Sequence, residues 1–384
     1  MQPSGYVAGV TTVARIPRVM VISEIPTPYR VPFFAQLAAR PEIELDILFC
    51  ARSEPDRPWQ IDAALDALPH RVLRGFAPSI RTRRNTFVYQ LNPGVLPLLA
   101  RSRPDAIVVG GYSVFAEQVA IAIARLRGIP YLLHSESTLA SPRPAHIRLA
   151  KRALVAPIVR SSAAGLATGT EAARYLERYG LPRERIRIVP NTIDVAAYGR
   201  DARVARARNA ALRSSRGLPD RFVLFAGRLV EDKGVHDLIE AQRLLGSDGD
   251  PLLVAGEGPL ARELRALPGV HVLGFLQTDR LIELYALAQW TVVPSRREPW
   301  GVVVNEALAC GCPVIVTDVV GSGVDLVLDG VNGRVVQAGA PAALAAALTG
   351  PQPSGDPSKG PIEGWTHEFA VEQFLEAVTL ALER

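Results

Sequence analysis

Residues 289–320 read QWTVVPSRREPWGVVVNEALACGCPVIVTDVV. A short apolar strand at 291–294 turns through a charged loop at 295–298. An apolar helix follows at 302–310, Gly311 ends it, and 313–317 reads as the next buried strand. A strand, a loop and a helix in that order aim the free N–H groups of a helix N-terminus over a sheet edge, which makes an anion site. Glu298 and Glu306 bracket the turn. What anion lies there, and why two carboxylates stand beside it, is the question put to the rest of the chain.

Downstream and upstream of this stretch the same alternation recurs. Apolar runs at 221–227, 251–256 and 270–275 precede it, separated by helical patterns at 235–245, 260–267 and 278–288. The first half carries a second series: strands at 18–23, 44–50, 70–75, 104–111, 130–134, 163–170 and 185–189, with helices at 33–39, 92–100 and 115–127. Strands alternating with helices imply parallel βαβ units and doubly wound sheets, whose ligands lie beyond the carboxyl ends of the strands. An Arg- and Ala-rich helical connector at 195–216 marks the change of composition. The expected domain boundary therefore falls between 194 and 195. A polar segment at 351–361 reads as a mobile link, and 368–382 as a closing amphipathic helix.

The chain has 384 residues, 48% hydrophobic and 21% charged, and a net charge of +5. Residues 1–190 carry +11 and residues 191–384 carry −6. A basic half suits an anionic surface or partner, with arginine-rich composition as the plainer explanation. Arg81, Arg83 and Arg84 form a basic knot. The helical stretch 143–160, interrupted near Pro157, sets Arg148, Lys151 and Arg152 on one face. Peripheral contact with anionic membrane is one reading of that face, and a solvated basic surface is the other. No apolar run approaches the roughly 18 residues of a membrane span, and 1–18 lacks a secretory pattern. The expectation is a cytoplasmic protein, with the inner membrane face as its alternative station, and no nucleic-acid partner. Cys50, Cys310 and Cys312 read as small buried apolar residues rather than metal ligands.

Three strand ends in the second half converge on the anion site. Gly227-Arg228 and Lys233-Gly234 supply a planar fork and a flexible point charge, which suit diphosphate oxygens. Gly256-Glu257-Gly258 is a turn open to close backbone approach. The third is the opening stretch. Each alone is weak: the first suits any surface loop, the second any turn, and Glu306 is favoured early in a helix in any case. Their conjunction on successive strand ends carries the reading.

With Pro190-Asn191-Thr192-Ile193-Asp194, Val272-Leu273-Gly274-Phe275 and EPWGVVVNE added, the chain resembles the retaining GT-B glycosyltransferases of the GT4 family, whose E-x7-E motif falls on Glu298 and Glu306. The resemblance is dense over 165–335 and loose before 130. It implies an α/β GT-B fold, two Rossmann-like doubly wound domains facing across a cleft, with the C-terminal helix crossing back, so that 1–194 joined by 366–384 faces 195–365. It also implies that Arg228 and Lys233 neutralise a donor diphosphate, that Glu306 takes the ribose hydroxyls and that Glu298 holds the transferred sugar. The amides of Trp300, Gly301, Val302 and Val303 would meet the sugar and β-phosphate. Gly274 and Phe275 would border the base, with Gly227, Gly256 and Asn191 at the donor, and His134 would reach the donor sugar from the first domain. The chain departs from the family in two places: Ile25-Pro26-Thr27-Pro28-Tyr29-Arg30 replaces a glycine-rich loop, and Thr192 replaces a glycine.

The implied activity is transfer of a sugar from a UDP- or GDP-sugar to a glycan, lipid-linked or small-molecule acceptor. No cofactor and no metal are expected, since no DxD motif stands where a metal would bind. Glu298 then positions the sugar instead of attacking it. Two other classes stay open: an epimerase or phosphorylase on the same fold, against which the E-x7-E turn argues, and a non-catalytic nucleotide-sugar-binding protein.

Overall fold

A computed structural model describes residues 15–53, 59, 62–81, 86–140, 145–246 and 249–384. The N-terminal arm before residue 15, Arg83, Arg84 and Arg143 lie outside the described residues, as do the side chains of Arg81 and Arg148.

The first half runs β1 (Arg18–Ser23), α1 (Arg30–Ala38), β2 (Glu44–Phe49), α2 (Asp62–Asp66), β3 (His70–Val72), β4 (Ser79–Arg81) and β5 (Thr86–Val88). It continues α3 (Val95–Arg101), β6 (Ala106–Val109), α4 (Phe115–Arg127), β7 (Tyr131–Ser135), α5 (Ala145–Ser161), β8 (Ala164–Ala167), α6 (Thr170–Arg178) and β9 (Ile186–Ile188). The second half opens with two helices, α7 (Val195–Ala207) and α8 (Asn209–Arg216), then β10 (Val223–Ala226), α9 (Val235–Leu245), β11 (Leu252–Ala255), α10 (Ala261–Arg265) and β12 (Val270–Gly274). There follow α11 (Thr278–Leu287), β13 (Trp290–Val293), α12 (Val302–Ala309), β14 (Val314–Thr317), α13 (Gly321–Leu326), β15 (Gly333–Val336), α14 (Pro341–Thr349), α15 (Pro361–Gly364) and α16 (His367–Leu382).

Two parallel sheets result. The first has the order β3-β2-β1-β6-β7-β8-β9 and the second β12-β11-β10-β13-β14-β15, while β4 and β5 form a separate antiparallel pair. Central strands such as β6 (AIVV) and β13 (WTVV) are buried along their whole length, as strands covered by helices on both faces must be. Strand order reverses between β1 and β6 and between β10 and β13. At such a point the two following loops leave for opposite faces and a crevice opens between them.

Helix α16 returns to the first sheet. Ala370, Val371, Phe374, Ala377 and Val378 share a core with Val21, Val108 and Leu166. Phe374 is 2% exposed, and burying one such ring contributes about 2–3 kcal/mol. The crossing helix therefore fastens the chain's end to its first sheet.

Several features differ from the sequence reading, and helices α2 and α14 and the β4/β5 pair were not read from it. The 195–216 helical connector is split into two helices, which meet at Arg208. Strand β15 is not written as an apolar run, because GRVV lies at an edge and is only half-buried. Helix α5 runs through Pro157 to Ser161 instead of breaking. Proline removes only one helical hydrogen bond, and Val155, Ala156 and Val159 hold the helix down by burial. The 351–360 segment is pinned rather than loose, because Ser354 N and Gly355 N donate to Gly330 O and Val331 O at 3.1 and 2.8 Å.

Candidate active site

The crevice of the second sheet is built by glycines. Gly234 has φ +70°, and a Cβ there would lie 1.8 Å from Pro294 O. The turn after β10 thus packs directly against the end of β13. Gly256, at φ +154°, meets Gly227 O in the same way, at 1.9 Å from an added Cβ, and its N–H donates to Gly274 O at 2.7 Å. The predicted motif glycines serve contacts between strand ends.

This approach brings Lys233, in a short turn at Glu231–Lys233, onto Glu298, and the Lys233 ammonium donates to Glu298 Oε2. The pair is mostly enclosed, the side chains being 22% and 10% exposed. Ser295 Oγ reaches the same carboxylate oxygen at 3.4 Å. The loop is fixed from below, since Arg296 donates to both oxygens of Asp237 at 2.7 and 2.6 Å and Thr317 Oγ1 donates to Ser295 O at 2.6 Å. Arg228 follows Gly227 in the same turn.

Helix α12 starts at the far side of Glu298. Gly301 precedes it at φ +93°, and Val304 N returns to Gly301 O at 3.0 Å. The N–H groups of Val302 and Val303 have no carbonyl within the helix to serve. Trp300 is 3% exposed, and its Nε1 donates to Asn305 Oδ1 at 3.1 Å, so its indole is structural. Glu306 projects from the first turns of α12 and accepts from Tyr285 OH at 2.8 Å and from Tyr198 OH at 3.4 Å. Part of its surface stays open, yet protein surrounds the carboxyl. Burial, opposed by the two tyrosine bonds, pushes it up to about 7. Gly274 and the half-exposed Phe275 stand at the end of β12.

Across the cleft the first sheet presents His134 at the end of β7. Burial first, and the nearby Arg30 charge second, lower it to about 4, so the ring is neutral at ordinary pH. Asn191 does not reach toward the phosphate loops. It accepts from Arg30 Nε at 3.1 Å and donates to Glu136 Oε1 at 2.9 Å, while Arg30 also pairs with Glu136. These three side chains close a ring over the ends of β1, β7 and β9. Behind Gly110 lies Glu117, 0% exposed, whose carboxyl is pushed up to about 8 by burial and then by the Glu24 charge.

Glu306 and Glu117 give a pH signature. Each carboxyl titrates higher when folded than its ordinary 4.5, so the folded protein holds protons that the unfolded chain has released. The stability they contribute is full below about 4.5 and is lost as pH rises through 7 and 8. Urea midpoints should fall between pH 5.5 and 8.5, and Glu306→Gln or Glu117→Gln should each flatten that slope.

The two halves touch beside the opening motif. Asp325 of α13 accepts from Thr170 N at 3.0 Å and from Thr170 Oγ1 at 2.5 Å, capping α6 from the other half of the chain. Gly169 has no room for a Cβ, which would lie 2.5 Å from Trp300 and 2.4 Å from Asp325. Trp300 stacks on Trp365 with centroids 5.1 Å apart. Thr192 Oγ1 donates to Trp365 O, and His367 Nε2 lies 3.2 Å from Tyr29 O. Asp325→Ala should cost about 1 kcal/mol, as loss of a helix cap does, read as a lower urea midpoint.

Tyr198, Tyr285 and Asp325 were not singled out from sequence, and Arg30 only as the end of the atypical loop 25–30. Of the basic helical face, Lys151 packs over the Tyr175 ring, 5.3 Å from its centroid, and Arg152 is exposed. Cys50, Cys310 and Cys312 are buried free thiols, and burial pushes Cys312 up to about 12. Among the described residues no cluster of three or more His, Cys, Asp or Glu is arranged for a metal, and no helix is long and apolar enough to cross a membrane.

Known proteins match at both ends of this architecture. Residues 211–350 fit the family described as glycosyl transferases group 1, and residues 26–192 the glycosyl transferase 4-like domain. The D-inositol 3-phosphate glycosyltransferase of Rhodococcus jostii is 31% identical over 331 residues, covering 78% of this chain and 70% of that one. The same-named protein of Xylanimonas cellulosilytica is 34% identical over 204 residues, 50% of this chain. That alignment spans 49% of the relative, and one with a Methanocaldococcus jannaschii glycosyltransferase spans 42% of it. Among solved structures, Anabaena HepE with UDP-glucose superposes with TM-score 0.67 at 18% identity, over 96% of this chain and 98% of that one. Sucrose-phosphate synthase of Thermosynechococcus elongatus gives 0.62 at 18% identity, over 96% and 97%. The two parallel-sheet domains are those of the GT-B fold, and the chain belongs to the group 1, GT4-like glycosyltransferases.

Proposed function

We propose that the protein transfers a hexose from a UDP- or GDP-sugar to an acceptor hydroxyl, with retention of configuration and without a metal ion. The observation that carries this is the meeting of Lys233 with Glu298 at the mouth of helix α12. A cation, a sugar-positioning carboxylate and two free amide N–H groups converge there on one crevice. The Anabaena relative solved with UDP-glucose supports a nucleotide-sugar donor.

In this reading the sugar C1–O bond to the β-phosphate breaks and a C1–O bond to the acceptor forms. The acceptor's proton passes to the departing diphosphate on the same face. Negative charge grows on that diphosphate while the sugar becomes oxocarbenium-like. Arg228, Lys233 and the N-terminus of α12 are fixed against the developing charge before it appears, which lowers the barrier without reorganisation. On donor binding Glu298 turns from Lys233 to the sugar hydroxyls, and Glu306 accepts the ribose hydroxyls. His134, neutral, contributes a hydrogen bond and no charge. The acceptor is a glycan, a lipid-linked sugar or a small molecule, with anionic membrane as an optional docking surface.

A thermal-shift panel of UDP, GDP, TDP and their sugars tests the donor assignment, because a ligand that binds only the folded state raises its melting point. One diphosphate should stabilise the protein in EDTA and lose its effect in Lys233→Ala. No shift with any of them would remove the proposal.

A further inference from the structure

Glu117 stands in the first turn of α4 and is wholly buried, at 0% exposure. Acids are common there because they accept from the helix's free N–H groups. Glu117 does this through one side of its carboxyl: Oε2 accepts from Ser113 N at 3.1 Å, and the Val114 amide also bonds the group. The other oxygen, Oε1, has no hydrogen-bond partner among the described residues. Capping alone does not call for such burial, which costs free energy for each polar atom left unpaired. What Oε1 faces is the bare Cα of Gly110. A Cβ added there would lie 3.0 Å from Oε1, and one added at Gly111 would lie 3.2 Å from Oε2. The carboxyl therefore fills the space that two side chains leave, with the loop from Gly110 to Val114 wrapped round it.

Gly110 has a second neighbour. Strands β6 and β7 run parallel with Val109 opposite Leu133, so Gly110 lies beside His134. Its N–H donates to Ile22 O at 2.8 Å, and its carbonyl hydrogen-bonds the His134 ring. A carbonyl only accepts, so the ring nitrogen that meets it carries the hydrogen. The other nitrogen of the neutral ring is then an acceptor, and a backbone group sets its direction. We infer that Glu117 is a positioning residue for His134: by bracing Gly110 from behind, it fixes the tautomer and the direction of that ring. The consequence for catalysis rests on the glycosyl-transfer reading, which sets the ring at the donor sugar. The placement of the ring itself does not.

The test compares Glu117→Ala with Glu117→Gln in the full chain. Glutamine fills the same space and accepts the same N–H bonds, so only alanine removes the brace. Proton–nitrogen correlation spectra of the histidine rings, with His134→Ala to assign the signal, should show one tautomer in wild type and in Glu117→Gln. In Glu117→Ala the two ring nitrogens should shift toward each other as the tautomers mix. With the donor found in the thermal-shift panel and an added acceptor alcohol, Glu117→Ala should lower turnover about tenfold or more, because small misplacements at a reacting centre are costly. Glu117→Gln should recover most of that rate. In a His134→Ala background, Glu117→Ala should cost less than about twofold, since residues that act through one contact are not additive. Gly110→Ala, whose Cβ presses on Glu117 Oε1, disturbs the same loop and serves if Glu117→Ala does not fold. An unchanged His134 signal in both variants, or a full tenfold loss from Glu117→Ala when His134 is already absent, would overturn the inference and leave Glu117 a helix cap. If wild-type protein releases no nucleoside diphosphate at all, the transfer reading fails, and the ring spectra still decide whether Glu117 sets His134.

Discussion

Lys233→Ala is expected to lower the rate of nucleoside diphosphate release by two to three orders of magnitude. Removing one preorganised donor from a site of developing charge costs about 10²–10³ in turnover. Arg228→Ala is expected to fall in the same range. The Lys233 substitution has a second effect that must be separated from the first. It leaves the Glu298 carboxylate, 10% exposed, without its cation, and breaking an enclosed pair from one side costs about 3 kcal/mol. The double variant Lys233→Ala with Glu298→Gln removes the stranded charge. It should recover most of the lost stability, read by urea unfolding, and none of the rate. A double variant with restored turnover would show that Lys233 serves only to balance Glu298.

The second large effect is structural in origin and catalytic in outcome. At Gly234 the backbone has φ +70°, and an alanine Cβ would sit 1.8 Å from the carbonyl oxygen of Pro294. Left-handed backbone costs a non-glycine residue about 1–2 kcal/mol. The overlap adds about 1–3 kcal/mol, since its partner is backbone that cannot rotate away. Gly234→Ala should therefore lose about 3 kcal/mol of stability or more. By prising the β10 turn off β13 it should also separate Lys233 from Glu298 and abolish activity at temperatures where the protein is still folded. Gly217 supplies the control. Its φ is +61°, but nothing lies within 4 Å of an added Cβ, so Gly217→Ala should cost only the backbone strain and leave activity intact.

These glycines also mark the limit of what the sequence discloses. The parallel strands were legible because β6, β10, β13 and β14 are buried on both faces and so are written as continuous apolar runs. The glycine motifs were legible as motifs. Their reason was not, because the carbonyl that excludes a side chain at Gly234 belongs to Pro294, 60 residues away. The Arg30, Glu136 and Asn191 ring joins positions 106 and 161 residues apart, and nothing near any one of them hints at the others. Tyr285 lies on the buried face of an amphipathic helix, where a hydroxyl donating to Glu306 looks the same as an ordinary core tyrosine. Strand β15 was lost for a different reason: as long as β13 and β14, it lies at an edge, half-buried, without their apolar continuity. Pro157 was overweighted, since tertiary burial of its helix outweighs one missing hydrogen bond.

The first half was the less legible of the two. Of its polar strand ends only His134 was marked, and the ring of Arg30, Glu136 and Asn191 near that strand end comes from residues that strand order brings together.

Nucleoside diphosphate release from a panel of UDP- and GDP-sugars by the purified chain in EDTA, with and without an added acceptor alcohol, decides whether this site transfers sugar. One nucleotide sugar should be cleaved, at the same rate with EDTA as without, faster when the acceptor is present, and at least a hundredfold more slowly in Lys233→Ala. Binding of a nucleoside diphosphate with no cleavage of any sugar donor under either condition would contradict sugar transfer.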